Sequence, residues 1–211
     1  VWDCATGNGQ AAVELAKRFP EVLATDHSQA QLDLAAKRPN INYRLGEAGH
    51  SGLADESIDI ITVAQALHWF FGENFWKEVL RVLKPGGLFV AWTYAQHWLD
   101  DESLTAVTDH YHNETLRDYW PERRKHPVNR YREIDLPFSP MHSPQLMMKV
   151  EHTLEAHIGY LRSWSGTQRY IDAHHDDPTH AVMLELATLW GDPDAKHTVH
   201  WPLTIKAGIK D

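Results

Sequence analysis

The opening run Asp3-Cys4-Ala5-Thr6-Gly7-Asn8-Gly9 follows the apolar pair Val1-Trp2 and precedes a helical stripe of Ala12, Leu15, Ala16 and Phe19. Glycine lets a backbone approach a ligand closely, and a helix start offers unpaired N–H groups. Asp26 ends the next apolar run, Val22–Thr25, where a carboxylate can accept hydrogen bonds from a ribose diol. Together these residues describe a nucleoside site at the carboxyl ends of parallel strands. Two ligand chemistries compete for it. Gly7-x-Gly9-x-x-Ala12 followed by an acid fits the dinucleotide fingerprint, which seats a pyrophosphate on the helix start. Asp3 argues against that reading: a carboxylate facing the turn repels a diphosphate and suits a ligand carrying ammonium and sulfonium charge. The electrostatics favour S-adenosylmethionine over a nicotinamide dinucleotide.

His68 follows the apolar run Ile58–Ala66 on its carboxyl side, where parallel-sheet sites lie. An imidazole titrating near neutrality suits a hydroxyl or amine methyl acceptor, which must lose a proton; a carboxylate acceptor needs no base. Trp69 either walls the site or fills core. Arg162 offers paired hydrogen bonds to an acidic substrate, against the plainer reading of a solvated helix arginine. The basic run 123–132 is expected as a solvated loop. Cys4 is expected as a small buried residue rather than a nucleophile. Asp109-His110-Tyr111-His112 and His174-His175-Asp176-Asp177 hold metal-ligand types without the i, i+4 spacing of helical ligand pairs, so no metal is expected and these histidines are assigned to the surface.

The elements that must position these groups alternate. Helix signals over Gly7–Phe19, from the apparent capping box Ser28-Gln29-Ala30-Gln31 to Pro39, and along Phe75, Val79 and Val82 separate strand signals at Val22–Thr25, Ile41–Leu45, Ile58–Ala66 and Leu88–Tyr94. Lys84-Pro85-Gly86-Gly87 reads as a turn. Strands spaced by helices predict an α/β fold, a doubly wound, mostly parallel Rossmann-like sheet with right-handed crossovers. Beyond residue 95 the pattern changes: a polar helix over Asp100–Tyr119, irregular chain over Tyr119–Gln145, helices over Thr153–Trp164, from the capping box Ser165-Gly166-Thr167-Gln168, and over Ala181–Trp190, then a strand at Val199–Ile205. The expected organisation is one domain, with a core over residues 1–95 and about 191–211 and a helical cap insertion over about 96–190.

The chain's 211 residues include 20 Lys+Arg against 29 Asp+Glu, a net charge of −9 that repels phosphate backbones and disfavours nucleic acid. No apolar stretch approaches the roughly 18–20 residues of a membrane span. One cysteine excludes an intramolecular disulfide, so a reducing, cytoplasmic compartment is expected, and no leader is recognised. Opening on a strand without Met, the sequence is expected to continue elements that lie upstream. Nine Trp point to a site with aromatic walls, while the 15 His are scattered and are weighed one by one.

The sequence resembles the class I S-adenosylmethionine-dependent methyltransferases, in particular the branch that includes trans-aconitate methyltransferase-like proteins. Asp3–Gly9 is similar to the family's first motif, and Asp26 to its ribose acid. Gly46-Glu47-Ala48 falls where the family contacts adenine, Asp59–Phe70 resembles its fourth-strand motif, and Val82–Gly87 its turn before strand five. Gly159–Ser165 and His200–Leu203 also look like this branch. Ala5 stands where many relatives have Gly, which is tolerable at negative φ. The resemblance implies cofactor contacts from Asp3, Ala5, Gly7, Gly9, Asp26, Glu47, Ala48 and Gln65. It implies acceptor contacts from His68, Trp69, Tyr160, Arg162, Ser163 and Trp164, with His68 catalytic. The implied acceptor is a small molecule, such as a carboxylic acid converted to its methyl ester. Two other readings stay open: a NAD-dependent oxidoreductase on the same turn, and a non-catalytic domain that binds S-adenosylmethionine.

Overall fold

The computed structural model describes residues 1–94 and 96–211, in two compact units. The first comprises Val1–Tyr94, His126–Gln145 and Leu203–Asp211; the second comprises Ala95–Lys125 and Leu146–Pro202.

In the first unit the chain runs β1 (Trp2–Cys4), α1 (Gln10–Leu15), β2 (Val22–Asp26), α2 (Gln29–Asp33), β3 (Ile41–Leu45), β4 (Ile58–Ala64), α3 (Glu73–Val82) and β5 (Leu83–Tyr94). The strands pair in parallel in the order β3-β2-β1-β4-β5. Residues 203–209 of the strand His197–Ile209 then add antiparallel to β5, from Tyr94↔Leu203 to Leu88↔Ile209. This is the α/β Rossmann-like sheet that the alternating pattern predicts. Strand order reverses between β1 and β4, which opens a crevice at the carboxyl ends of those strands. β1 and β2 are buried along their whole length, as central parallel strands are. Their neighbours in the core include Ile61, Val63, Phe75, Val79 and Phe89.

Local differences from the sequence reading have physical causes. α1 and α2 are only six and five residues long, because the sheet rather than helix propensity fixes them. Ser28 is the N-cap of α2, but its hydroxyl makes no capping bond; Asp26 Oδ1 instead accepts the Ser28 N–H at 2.9 Å. The Lys84–Gly87 turn lies inside β5 as a register shift between Ile58↔Leu83 and Ile60↔Leu88. Of the segment read as irregular, Tyr119–Gln145, the part His126–Gln145 supplies Tyr131, Ile134 and Phe138 to the first unit's core.

The second unit holds the helices Glu102–His110, Leu154–Arg162, Ser165–His174 and Thr179–Trp190, and a short antiparallel pairing of Trp98–Leu99 with Val199 and His200. Asp101 and Thr153 cap the first two helices with side-chain oxygens. The Ser165 box is not used: Trp164 is the N-cap and Ser165 already lies in the helix. The helix expected to reach Tyr119 ends at His110 and continues as a π-turn, Tyr111–Thr115, and a 3-10 turn, Arg117–Tyr119. Several tryptophans and histidines gather here. His97 stacks on Trp201 at 5.6 Å and meets Tyr160 and Trp164 edge-on, while His157 packs on Trp190 at 5.7 Å. His112, expected at the surface, is buried against Trp120 at 4.6 Å, and Arg124 of the basic run lies 3.9 Å over the Trp120 ring. Among the described residues no helix is long and apolar enough to cross a membrane.

Candidate functional site

In the first unit the crevice forms a cleft of about 860 Å³, within the size range of small-molecule sites. Four strand ends line it: Ala5 after β1, Thr25 to Ser28 at the end of β2, Gly46 to Gly49 after β3, and Ala66, Trp69 and Phe70 after β4, with Gln31 from α2. Of the sequence-derived candidates, Ala5, Asp26, Glu47, Ala48 and Trp69 line it together. Trp69 is half exposed, a wall rather than core. Thr25, His27, Ser28, Gln31, Gly49, Ala66 and Phe70 were not singled out, although most adjoin a residue that was. The signal that could have found all but Gln31, which lies on α2, is their place at or just beyond the carboxyl end of a strand.

Asp26 is largely buried and organises the loop. Its Oδ2 accepts the Gly7 N–H at 2.8 Å and its Oδ1 the Ser28 N–H at 2.9 Å. Asp3 is fully buried beneath, with Oδ2 accepting from the Thr6 hydroxyl at 2.5 Å and Oδ1 from the Thr62 hydroxyl at 2.7 Å. Burial pushes the Asp3 carboxyl up, and the two hydroxyl bonds oppose that shift. Asp3 thus ties β1 to β4 underneath the turn. Cys4 is buried beside it, and burial holds its thiol well above the ordinary range.

The turn is left-handed at Gly7 (φ +58) and Gly9 (φ +83), and also at Ala5 (φ +57). The sequence reading made alanine tolerable here on condition of a negative φ; the turn does not meet that condition, and Ala5 carries the strain its Cβ imposes. Ala5→Gly is therefore expected to stabilise the protein by about 1 kcal/mol in urea denaturation, the left-handed penalty less the added chain entropy of glycine.

Gln65 is left-handed as well (φ +54). Its Oε1 accepts from the Thr93 hydroxyl at 2.8 Å, and its buried Nε2 has no hydrogen-bond partner among the described residues. His68 is buried, with Nδ1 3.0 Å from the Tyr131 hydroxyl. Tyr131 escaped the sequence reading because nothing periodic marks it.

The remaining candidates belong to the second unit. Tyr160 accepts from Trp201 Nε1 at 3.0 Å and meets Trp164 edge-on at 5.6 Å. Ser163 caps its own helix through the Tyr160 carbonyl at 2.6 Å. Arg162 is exposed and forms an ion pair with Asp177 at 2.9 Å.

Residues 2–91 match the family model described as a methyltransferase domain. A methyltransferase-family protein of Dictyostelium discoideum is 34% identical over 177 residues, which are 83% of this chain and 67% of that protein. A methyltransferase-like protein of Schizosaccharomyces pombe is 37% identical over 89 residues, 41% of this chain, so that the match spans about a third of its length (35%). A solved structure from Anaeromyxobacter dehalogenans, assigned as a type II methyltransferase, superposes with a TM-score of 0.89 at 35% identity, covering 99% of this chain and 88% of that one. With its glycine turn, its acid-ended second strand and these relatives, the chain belongs to the methyltransferase domain family.

Proposed function

We propose that the protein transfers a methyl group from S-adenosylmethionine to a small-molecule acceptor. The observation that carries this reading is the charge of the cleft. It contains the carboxylates of Asp26 and Glu47, and no Lys or Arg lines it among the described residues. Such a site suits a ligand with a ribose diol and positive charge and repels a diphosphate. The Gly7 N–H, which a dinucleotide would need for its pyrophosphate, is already held by Asp26. Both points weigh against a nicotinamide cofactor.

When bound, S-adenosylmethionine supplies an electrophilic methyl on sulfonium. Asp26 binds the ribose, Glu47 and Ala48 flank the adenine, and the loop from Ala5 to Gly9 shapes the turn beside them. Trp69 and Phe70 provide apolar walls that help exclude water. His68 takes the proton that a hydroxyl or amine acceptor loses as its bond to carbon forms and the carbon–sulfur bond breaks, leaving S-adenosylhomocysteine, methylated product and an imidazolium. Carboxylic acids, the acceptor class implied by resemblance to the trans-aconitate methyltransferase-like branch, are the first to screen.

Calorimetric titration with S-adenosylmethionine, S-adenosylhomocysteine and NAD in parallel tests the cofactor. Binding of the first two without the third is expected; NAD binding alone overturns the reading. Asp26→Ala is expected to weaken S-adenosylmethionine binding by about 1.5–3 kcal/mol, the range for a hydrogen bond to a charged group. Unchanged affinity in the folded variant would remove Asp26 from the site.

A further inference from the structure

The first unit has a second groove, away from the cleft. Its volume is about 600 Å³, within the size range of small-molecule sites, and it runs between residues 205–207 of the last strand and the segment 135–143. Leu136, Phe138, Pro140, Met141 and Ile205 give it an apolar wall. Lys206 pairs with Ala91 in the antiparallel register with β5, so the groove belongs to the strand beyond β5, whereas the cleft opens at the ends of β1 to β4.

A lysine on an open surface sends its ammonium into water and lays only its stem on apolar neighbours. Lys206, partly buried, instead turns its ammonium onto the Ile134 carbonyl at 2.5 Å. An ammonium has three N–H donors, and among the described residues this one makes no other hydrogen bond and no ion pair. Asp135 also lines the groove, but it is exposed to water and forms no ion pair with Lys206. Burial pulls the Lys206 ammonium below the ordinary lysine range, and Asp135 and Glu133 offset that only in part. The groove therefore holds a positive charge that is partly withdrawn from water and not neutralised.

We propose that this groove is a second binding site, for a small carboxylate with an apolar body. The carboxylate pairs with the Lys206 ammonium, and the body lies along Leu136, Met141 and Ile205. A carboxylate neutralises the charge, and a hydrogen bond between ionised partners is roughly twice as strong as one between neutral groups. Apolar contact alone would hold an alcohol of the same length equally well, and an amine would be repelled. This site is independent of the methyl-transfer reading, because none of its residues lines the cleft.

The probe is octanoate, titrated by calorimetry beside octan-1-ol and octylamine. Octanoate is expected to bind, and the other two to bind at least about tenfold more weakly. The methyl NMR signal of Met141, assigned by its loss in Met141→Leu, is expected to move on addition of octanoate. Lys206→Gln removes the charge and is expected to weaken octanoate binding roughly ten- to a hundredfold. That change also cuts the bond to Ile134, so Met141→Glu is the second variant. It adds a negative charge on a wall residue that is 43% exposed and leaves the Ile134 bond in place. Octanoate binding is expected to be lost in that folded variant. Absence of octanoate binding, equal affinity for octan-1-ol, unchanged binding in the folded variants, or displacement of octanoate by S-adenosylhomocysteine each overturns the proposal.

Discussion

Lowering the pH from about 7 to about 5 is expected to destabilise the second unit by about 3–4 kcal/mol. His97 and His157 are both held down to about 3, chiefly by burial. The charged groups facing His97 are His112, His152 and Arg124, and those facing His157 are His97, His152 and His197, so each would disfavour a proton further. In the unfolded chain both imidazoles take up protons below about 6.5. Between that value and about 3 the unfolded state holds two protons that the native state refuses. Stability is therefore fully present above the unfolded pKa and falls steadily as the pH drops towards the folded one. Each group contributes about 1.4 kcal/mol per pH unit within that window. The measurement is the urea midpoint followed by tryptophan fluorescence, because Trp164, Trp190 and Trp201 pack on these two rings. His157→Phe, if it folds, should lose about half of the slope. A midpoint that stays flat from neutrality to mild acid would mean that these histidines are solvated.

That outcome bears on what the sequence made legible. His110, His112, His174 and His175, without ligand spacing, read as surface residues, because polarity is a local property. Burial in an aromatic cluster depends on partners far along the chain: His97 packs on residues 157, 160, 164 and 201. The parallel sheet was legible for the opposite reason. Its strands are short apolar runs with turn or helix signals between them, and the acid that ends β2 lies where parallel-sheet ligands bind. Helix limits were less so, since α1 and α2 barely exceed one turn and their extent is set by packing. Within the cleft, Asp26 followed from its position at the end of a strand, and Glu47 and Ala48 from the family resemblance. Tyr131 did not, because the segment carrying it has neither the period of a helix nor that of a strand.

Gly9→Ala is expected to destabilise the protein by about 2–5 kcal/mol and to weaken S-adenosylmethionine binding with it. The sequence reading gave Gly9 the role of letting the backbone approach a ligand. The close approach that the structure shows is to Tyr43 on β3: a Cβ on Gly9 would lie 2.3 Å from the Tyr43 Oη and 2.9 Å from its Cζ. The Tyr43 hydroxyl donates to the Ala36 carbonyl at 3.1 Å, so moving the ring breaks that bond as well. The second part of the penalty is conformational, since φ +83 at Gly9 is left-handed and costs an L-residue about 1–2 kcal/mol. Displacing a packed side chain adds about 1–3 kcal/mol. A double-mutant cycle with Tyr43→Ala separates the two parts. Removing the ring abolishes the clash and leaves the backbone strain, so Gly9→Ala should cost about 1–2 kcal/mol in that background. The Gly9 N–H to Thr6 carbonyl bond at 3.0 Å and the Val13 N–H to Gly9 carbonyl bond at 2.9 Å hold the turn in this conformation, so the strain cannot relax by a local flip without losing both. Equal penalties in the two backgrounds would show that Tyr43 yields freely, and that Gly9 is required for its φ alone.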